Sequence, residues 1–242
     1  MAKSAQSVIL INFFWRVCFL YNIFSLPPFF LGKDRGYYRP FSSAYFYLHL
    51  RKFFMSSSKD KYANPGPLGL CGFALTTWLL CLINGGFFDT QSIGLVLGMA
   101  FAFGGTAQMI AGMFEYKKGN TFGFTAFISY GAFWWSWALF TVFFKGNTPA
   151  TFIGWYLAVW GTFTLMMFFA TFSKPRALQA IFFFLTLTFY ALAIGDATGN
   201  HSIVNIGGYL GLITALCAFY LAAAEMFIDS YGREILPIGA KK

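Results

Sequence analysis

The chain has 242 residues, of which 58% are hydrophobic, 22% aromatic and only 10% charged, against roughly 25% charged residues in an ordinary soluble protein. A water-soluble core of this length could not hide so much apolar surface, which leaves little room for a soluble enzyme or binding domain. The net charge of +9 is no nucleic-acid footprint: residues 1–54 hold seven Lys or Arg against Asp34 alone, and the rest hold ten against seven acids, set in short loops where basic residues orient a membrane protein.

The amino-terminal 54 residues differ from the remainder of the chain. The run 8–31 is apolar but is interrupted by Asn12, Arg16, Asn22 and the pair Pro27-Pro28, so it is poor both as a spanning helix and as a signal peptide. Phe- and Tyr-rich sequence continues to Phe53-Phe54, and then Met55 opens a polar leader, Ser56-Ser57-Ser58-Lys59-Asp60-Lys61. Residues 1–54 are therefore expected to be an extension that is either poorly structured or not translated, with synthesis beginning at Met55. Residues 55–242 are expected to form the membrane domain.

Six apolar stretches come next, each long enough to cross a bilayer. They are predicted at roughly 68–88, 92–114, 122–144, 152–172, 177–195 and 204–226, which makes the fold class all-α and polytopic. Lys59 and Lys61 precede the first stretch, Lys117 and Lys118 follow the second, Lys174 and Arg176 follow the fourth, and Arg233, Lys241 and Lys242 follow the sixth. The other side has only Lys145, beside Asp89 and Asp196. By the positive-inside rule both termini are cytoplasmic, in a plasma or inner membrane. Gly94, Gly98, Gly105 and Gly112 stripe the second stretch, and Gly208, Gly211, Ala215, Ala218 and Ala222 stripe the sixth. Such stripes predict tight helix contacts there, with a pore wall as the alternative. Cys18, Cys71, Cys81 and Cys217 lie in apolar context without a C-x-x-C pair, so they read as buried packing residues rather than a metal site or disulfide framework.

The chain's densest motif leads into the first stretch: Asn64-Pro65-Gly66-Pro67-Leu68-Gly69-Leu70. Asn64 can cap a helix whose first turn holds Pro65 or Pro67, and the free N–H groups of such a turn suit a carboxylate. Further along stand Gly104-Gly105-Thr106-Ala107-Gln108, Glu115-Tyr116-Lys117-Lys118-Gly119-Asn120-Thr121-Phe122-Gly123, Ser129-Tyr130-Gly131-Ala132-Phe133-Trp134 and Leu236-Pro237-Ile238-Gly239. In this order the motifs closely resemble the acetate uptake transporter family, from about Ala63 to Gly239. One departure is Gly66, where the family usually has Ala.

The resemblance implies a six-helix protomer assembled as a homo-hexamer, with a separate path in each protomer for acetate, succinate or other short carboxylates, by anion channel or proton symport. Carried onto matching positions, it implies a hydrophobic constriction of Phe73, Tyr130 and Leu185 and a selectivity residue, Ala218. At 1.5 Å per residue these four fall in one layer, about 8 to 12 Å from the cytoplasmic side, although depth alone leaves their azimuths open. Ordinary packing is the alternative for each.

No fixed cation lies mid-span, which suits conduction, since an anion held by a buried Lys or Arg leaves slowly. Thr76, Thr77, Gln108 and Ser129 are candidates to offer hydrogen bonds instead, with interhelical bonding as the other reading for Thr76 and Gln108. Glu115 and Glu225 read either as interfacial anchors or as proton-coupling groups; His201, in an outer loop, is a poor relay. No H-E-x-x-H or G-x-S-x-G motif occurs, so neither enzyme, metal nor cofactor is expected. The rival function is a channel for small neutral solutes such as urea or amides.

Overall fold

In the computed structural model, residues 62–240 are described; the expected extension 1–54 and the leader to Lys61 lie outside them. Among the described residues six helices are long and apolar enough to cross a membrane: α1 Gly66–Asn84, α2 Thr90–Lys117, α3 Thr121–Asn147, α4 Ala150–Ser173, α5 Arg176–Thr198 and α6 His201–Tyr231. Their ends follow local chemistry. Pro67 lies in the first turn of α1, where its missing N–H costs nothing. The Asn120 side chain accepts the Gly123 N–H at the start of α3, and Asn200 accepts from Ser202 and Ile203 at the start of α6. Gly199 and Gly232 end α5 and α6 at φ 65° and 67°, a conformation that glycine adopts without Cβ strain.

Three expected boundaries move for a physical reason. The first stretch stops at Asn84 rather than near residue 88, because Gly85 and Gly86 turn the chain, Gly86 at φ 79°. The sixth runs on to Tyr231, since nothing breaks the helix before Gly232, and it begins at His201, which is therefore a first-turn residue and not a loop residue.

Neighbours in sequence are neighbours in space. The helices α1, α2 and α3 pack in succession, α4 packs on α5 and α5 on α6, and α6 returns to α1. The remaining gap, between α3 and α4, is bridged by aromatic rings: Phe133 stacks on Tyr156 at 6.0 Å, and Tyr130 meets Phe163 edge-on at 5.7 Å. The result is a ring of six helices. Its outer face is apolar, with Leu95 80% and Trp155 70% exposed, as a lipid-facing surface requires.

The glycine stripe of α6 is packed as predicted. A side chain at Gly208 would run into the backbone of Asn84 and Gly85, and one at Gly211 into Cys81. The stripe of α2 is only half so: Gly105 and Gly112 sit against Trp135 and Ile128, but Gly94 and Gly98 face open space within the protomer. The cause is a π-helical segment, Ala102–Ala107, whose wider turn changes the face presented on either side of it.

Beyond α6 the chain folds back as a strap. The carbonyls of Gly239 and Ile238 accept the N–H groups of Arg176 and Ala177, 3.1 and 3.0 Å away. The Pro237 carbonyl accepts the Tyr220 hydroxyl at 2.8 Å, and Glu234 accepts the Ile238 N–H. With Leu178 and Gln179 donating to the Pro175 carbonyl, the whole first turn of α5 is satisfied. The strap's Gly239 has φ 65°, and a β carbon there would crowd Arg176.

The two glycine environments make a stability prediction. Gly208→Ala should destabilise the detergent-solubilised protein by about 1–3 kcal/mol, whereas Gly98→Ala should change it by less than about 0.5 kcal/mol. Thermal melting of the two variants checks this.

Candidate functional site

Inside the ring lies a cavity of about 310 Å³. Its wall is made of single helix faces: Gly66, Leu70 and Phe73 of α1, Gly123, Ala126, Phe127 and Tyr130 of α3, and Leu178, Ile181, Phe182 and Leu185 of α5. Each set recurs at three- and four-residue spacing, which puts it on one stripe. From α6 come Leu221 and Glu225, from α2 Gln108 and Glu115, and from the turn after α2 Lys118. The deepest lining residue on each helix is thus Phe73, Gln108, Tyr130, Leu185 or Leu221, and these form the floor. Asn64, Lys118, Asn120, Glu115 and Glu225 surround the mouth. Phe73, Tyr130 and Leu185 therefore share one cavity as well as one depth.

Tyr130 is locked. Its hydroxyl is 2.9 Å from Thr164 Oγ1, and Thr164 spends its own proton on the Trp160 carbonyl at 2.7 Å, so the tyrosine must donate. That bond points the hydroxyl into α4 and leaves the aromatic ring to the cavity. The ring centroids of Phe73 and Phe182 lie 5.9 and 6.1 Å from that of Tyr130. The floor is therefore mostly hydrocarbon.

Gln108 is the polar exception. It is 1% exposed, lines the cavity, and its Oε1 has no hydrogen-bond partner among the described residues. It is the first residue after the π segment, and the wide turn of that segment sets its azimuth. Glycines of the flanking helices admit the bulge: a β carbon at Gly72 would lie 2.8 Å from the Phe103 carbonyl oxygen, and one at Gly131 2.9 Å from that of Gly105. Thr106 closes the turn by donating to the Phe101 carbonyl, and Trp135 Nε1 donates to Thr106 Oγ1.

At the mouth, Asn64 is a hub. Its Oδ1 accepts the Gly66 N–H at 3.1 Å and Lys118 Nζ at 3.0 Å, and its Nδ2 donates to Glu225 Oε2 at 2.9 Å. The first-turn N–H of Gly66 is thus taken, and Pro67 has none, so little of the expected open helix terminus is left. Glu115 is 2% exposed and accepts from Asn120 Nδ2 at 2.6 Å. Its burial in the cavity wall removes the reading of Glu115 as an interfacial anchor. Glu225 is half-buried, well inside α6.

Other expected site residues stand elsewhere. Thr76 is fully buried, donates to the Gly72 carbonyl and packs against Gly104 of the bulge, so it serves a helix contact. Thr77 is buried and its Oγ1 has no partner among the described residues, while Ser129 is half-buried; neither lines the cavity. Ala218 is fully buried one turn below Leu221 on α6, beneath the floor. Of the Asn-Pro motif, Asn64, Gly66 and Leu70 line the cavity; Pro65 is buried, Leu68 is 41% exposed, and Gly69 makes room for the Phe127 ring. Asn120 and the apolar wall residues Leu70, Ile181, Phe182 and Leu221 were not anticipated. The position of Asn120 just before a predicted span, a capping signal, was the clue to it.

Six spanning helices closed around a cavity that opens at one membrane face define an integral membrane protein built to admit a small solute. The chain belongs to the GPR1/FUN34/yaaH family, whose model matches residues 46–233. It is 50% identical over 183 residues to the succinate-acetate/proton symporter SatP of Escherichia coli strain K12, spanning 74% of this chain and 96% of that one. To acetate permease A of Emericella nidulans it is 37% identical over 204 residues, 76% of this chain and 68% of the relative. The solved structure of the bacterial acetate channel SatP superposes with a TM-score of 0.71 at 49% identity, covering 74% of this chain and all of that one.

The buried Glu115 yields a second prediction. Asn120→Ala removes both the donor to that carboxylate and the cap of α3, and should cost about 2–3 kcal/mol. Asn120→Ser, which restores a cap, should recover about 1 kcal/mol of that in thermal melting.

Proposed function

We propose that this protein carries acetate and related short carboxylates, succinate among them, across the cell membrane in a proton-linked manner. The observation that carries the reading is the cavity itself, polar at the mouth and floored by Phe73, Tyr130 and Leu185, in a chain half-identical to a succinate-acetate/proton symporter. The apolar floor admits the methyl end of acetate and rejects ions that keep their hydration shell. The Gln108 amide offers a hydrogen bond without a full charge, so the solute is held weakly enough to leave. Ala218, beneath the floor, limits the girth of what passes. Asn64 with Pro65, Pro67, Leu68 and Gly69 frames the entrance, and Thr76, Thr77 and Ser129 support the wall around the path.

Glu115 and Glu225 are the proton-coupling candidates, both at the mouth and both tied by an asparagine amide. The clustering of Lys117, Lys118, Lys174, Arg176 and Arg233 at the mouth end supports a cytoplasmic mouth and cytoplasmic termini. Assembly as a homo-hexamer, each protomer with its own path, rests on the family resemblance.

Uptake of labelled acetate into proteoliposomes under an imposed pH gradient tests the reading. Saturable flux, competed by propionate and reduced at least about tenfold by Tyr130→Ala, is expected, with no flux of urea; urea flux without acetate flux would move the protein to a neutral-solute channel. Leu185→Val and Ala218→Gly should each admit a bulkier acid such as lactate, raising the lactate-to-acetate ratio about threefold or more. An unchanged ratio in both variants would remove these residues from the filter.

A further inference from the structure

Asn64 has only one way to orient its amide. The Oδ1 receives two donors, the Gly66 N–H and Lys118 Nζ, so Nδ2 is left pointing at whatever acceptor stands at the mouth. That acceptor is Glu225 Oε2, 2.9 Å away. The carboxylate reaches this place because residue 66 has no side chain: a β carbon built at Gly66 would overlap Glu225 Oε2 and sit 3.3 Å from its Cδ. The carboxylate of α6 thus lies over the first turn of α1, beside an amide donor and near a lysine. This is the arrangement an incoming carboxylate would seek, and it stands at the mouth of the cavity.

We infer that Glu225 is a resident competitor of the solute at the Asn64–Lys118 seat, and that Gly66 is the positioning residue that lets it sit there. The inference deepens the proposed function and rests on its reading of the solute as a carboxylate. While Glu225 is ionised, a second carboxylate must displace it or bear its repulsion. Once Glu225 is protonated the seat keeps the Asn64 donor and the Lys118 charge but has lost its own anion. The other charged groups at the seat are Glu115 from α2, Lys118 just after it, and Asp229 from α6; α1, α3 and α5 contribute none to the lining there. The proton that accompanies uptake then acts on the protein as well as on the solute.

Formate is a suitable probe, because it stays ionised from about pH 5.5 to about pH 7.5, and any pH dependence of its binding across that range belongs to the protein. Formate binding to the purified full chain in detergent is measured by calorimetry at about pH 5.5 and about pH 7.5. The wild type should bind roughly tenfold more weakly at the higher pH. Glu225→Gln, which keeps an acceptor for Asn64 without the charge, should bind with less than about twofold change between the two. Gly66→Ala keeps the charge but pushes the carboxylate off the seat, and should tighten binding at the higher pH by about threefold or more. A Glu225→Gln protein with the wild-type profile, a profile flattened by Glu115→Gln instead, or no tightening in Gly66→Ala would each overturn the inference. Binding needs no flux, so a wild type that takes up no carboxylate would sink the proposed function while the formate profile still decides this one.

Discussion

A bilayer offers no water to a stray polar group, and that constraint explains most of what the side chains of this ring do. Threonines throughout the spans return their hydroxyls to the carbonyl one turn back, among them Thr76, Thr141, Thr162, Thr186 and Thr214. Each would otherwise cost several kcal/mol in hydrocarbon. Tyr130 obeys the same rule by reaching across to Thr164, and in doing so turns an amphipathic residue into an apolar floor. Among the described residues three buried side-chain atoms stay without a partner: Thr77 Oγ1, Trp134 Nε1 and Gln108 Oε1. Of these only Gln108 faces the cavity, where a polar group has something to meet.

Close packing follows from the same constraint, because lipid gives helices no hydrophobic reason to associate. Glycine and alanine on α6 bring three backbones together, α1, α5 and α6, and the wall that includes Leu185 and Phe73 inherits that rigidity. Where the floor meets α3 and α4 the means are different: tyrosine, tryptophan and phenylalanine rings fill a gap that the backbones do not close. The path is thus bounded by tight backbone contact on one side and by an aromatic wedge on the other.

The spans and their number were plain in the sequence because twenty apolar residues have few other uses. Their ends were less plain: the sixth span runs past its expected end to Gly232, which stops it. What could not be read was azimuth. Gly105 looked like one more member of a packing stripe, whereas with Gly104 it lies in a π turn, a choice made by the carbonyl-to-glycine contacts with Gly72 and Gly131 that only the assembled helices supply. For the same reason Thr76 and Gln108 looked alike in sequence, and the bulge between their helices sends one into a contact and the other into the cavity. The convergence of Phe73, Tyr130 and Leu185 agreed in depth beforehand, but that they share one wall required the folded ring. Glu115 looked superficial because of the lysines beside it, and is buried because Asn120, from the next turn of chain, covers it.

The strap formed by residues after α6 has a consequence for the order in which the molecule is made. The first two N–H groups of α5 are satisfied by the carbonyls of Ile238 and Gly239, which leave the ribosome only after α5 and α6 have both been synthesised. Until then that turn must borrow water or headgroup oxygens at the membrane surface. The fifth helix, which supplies Leu178, Ile181, Phe182 and Leu185 to the cavity, is therefore the last to be finished at its entrance end. The chain's closing residues are a fastening put in place once the ring is whole.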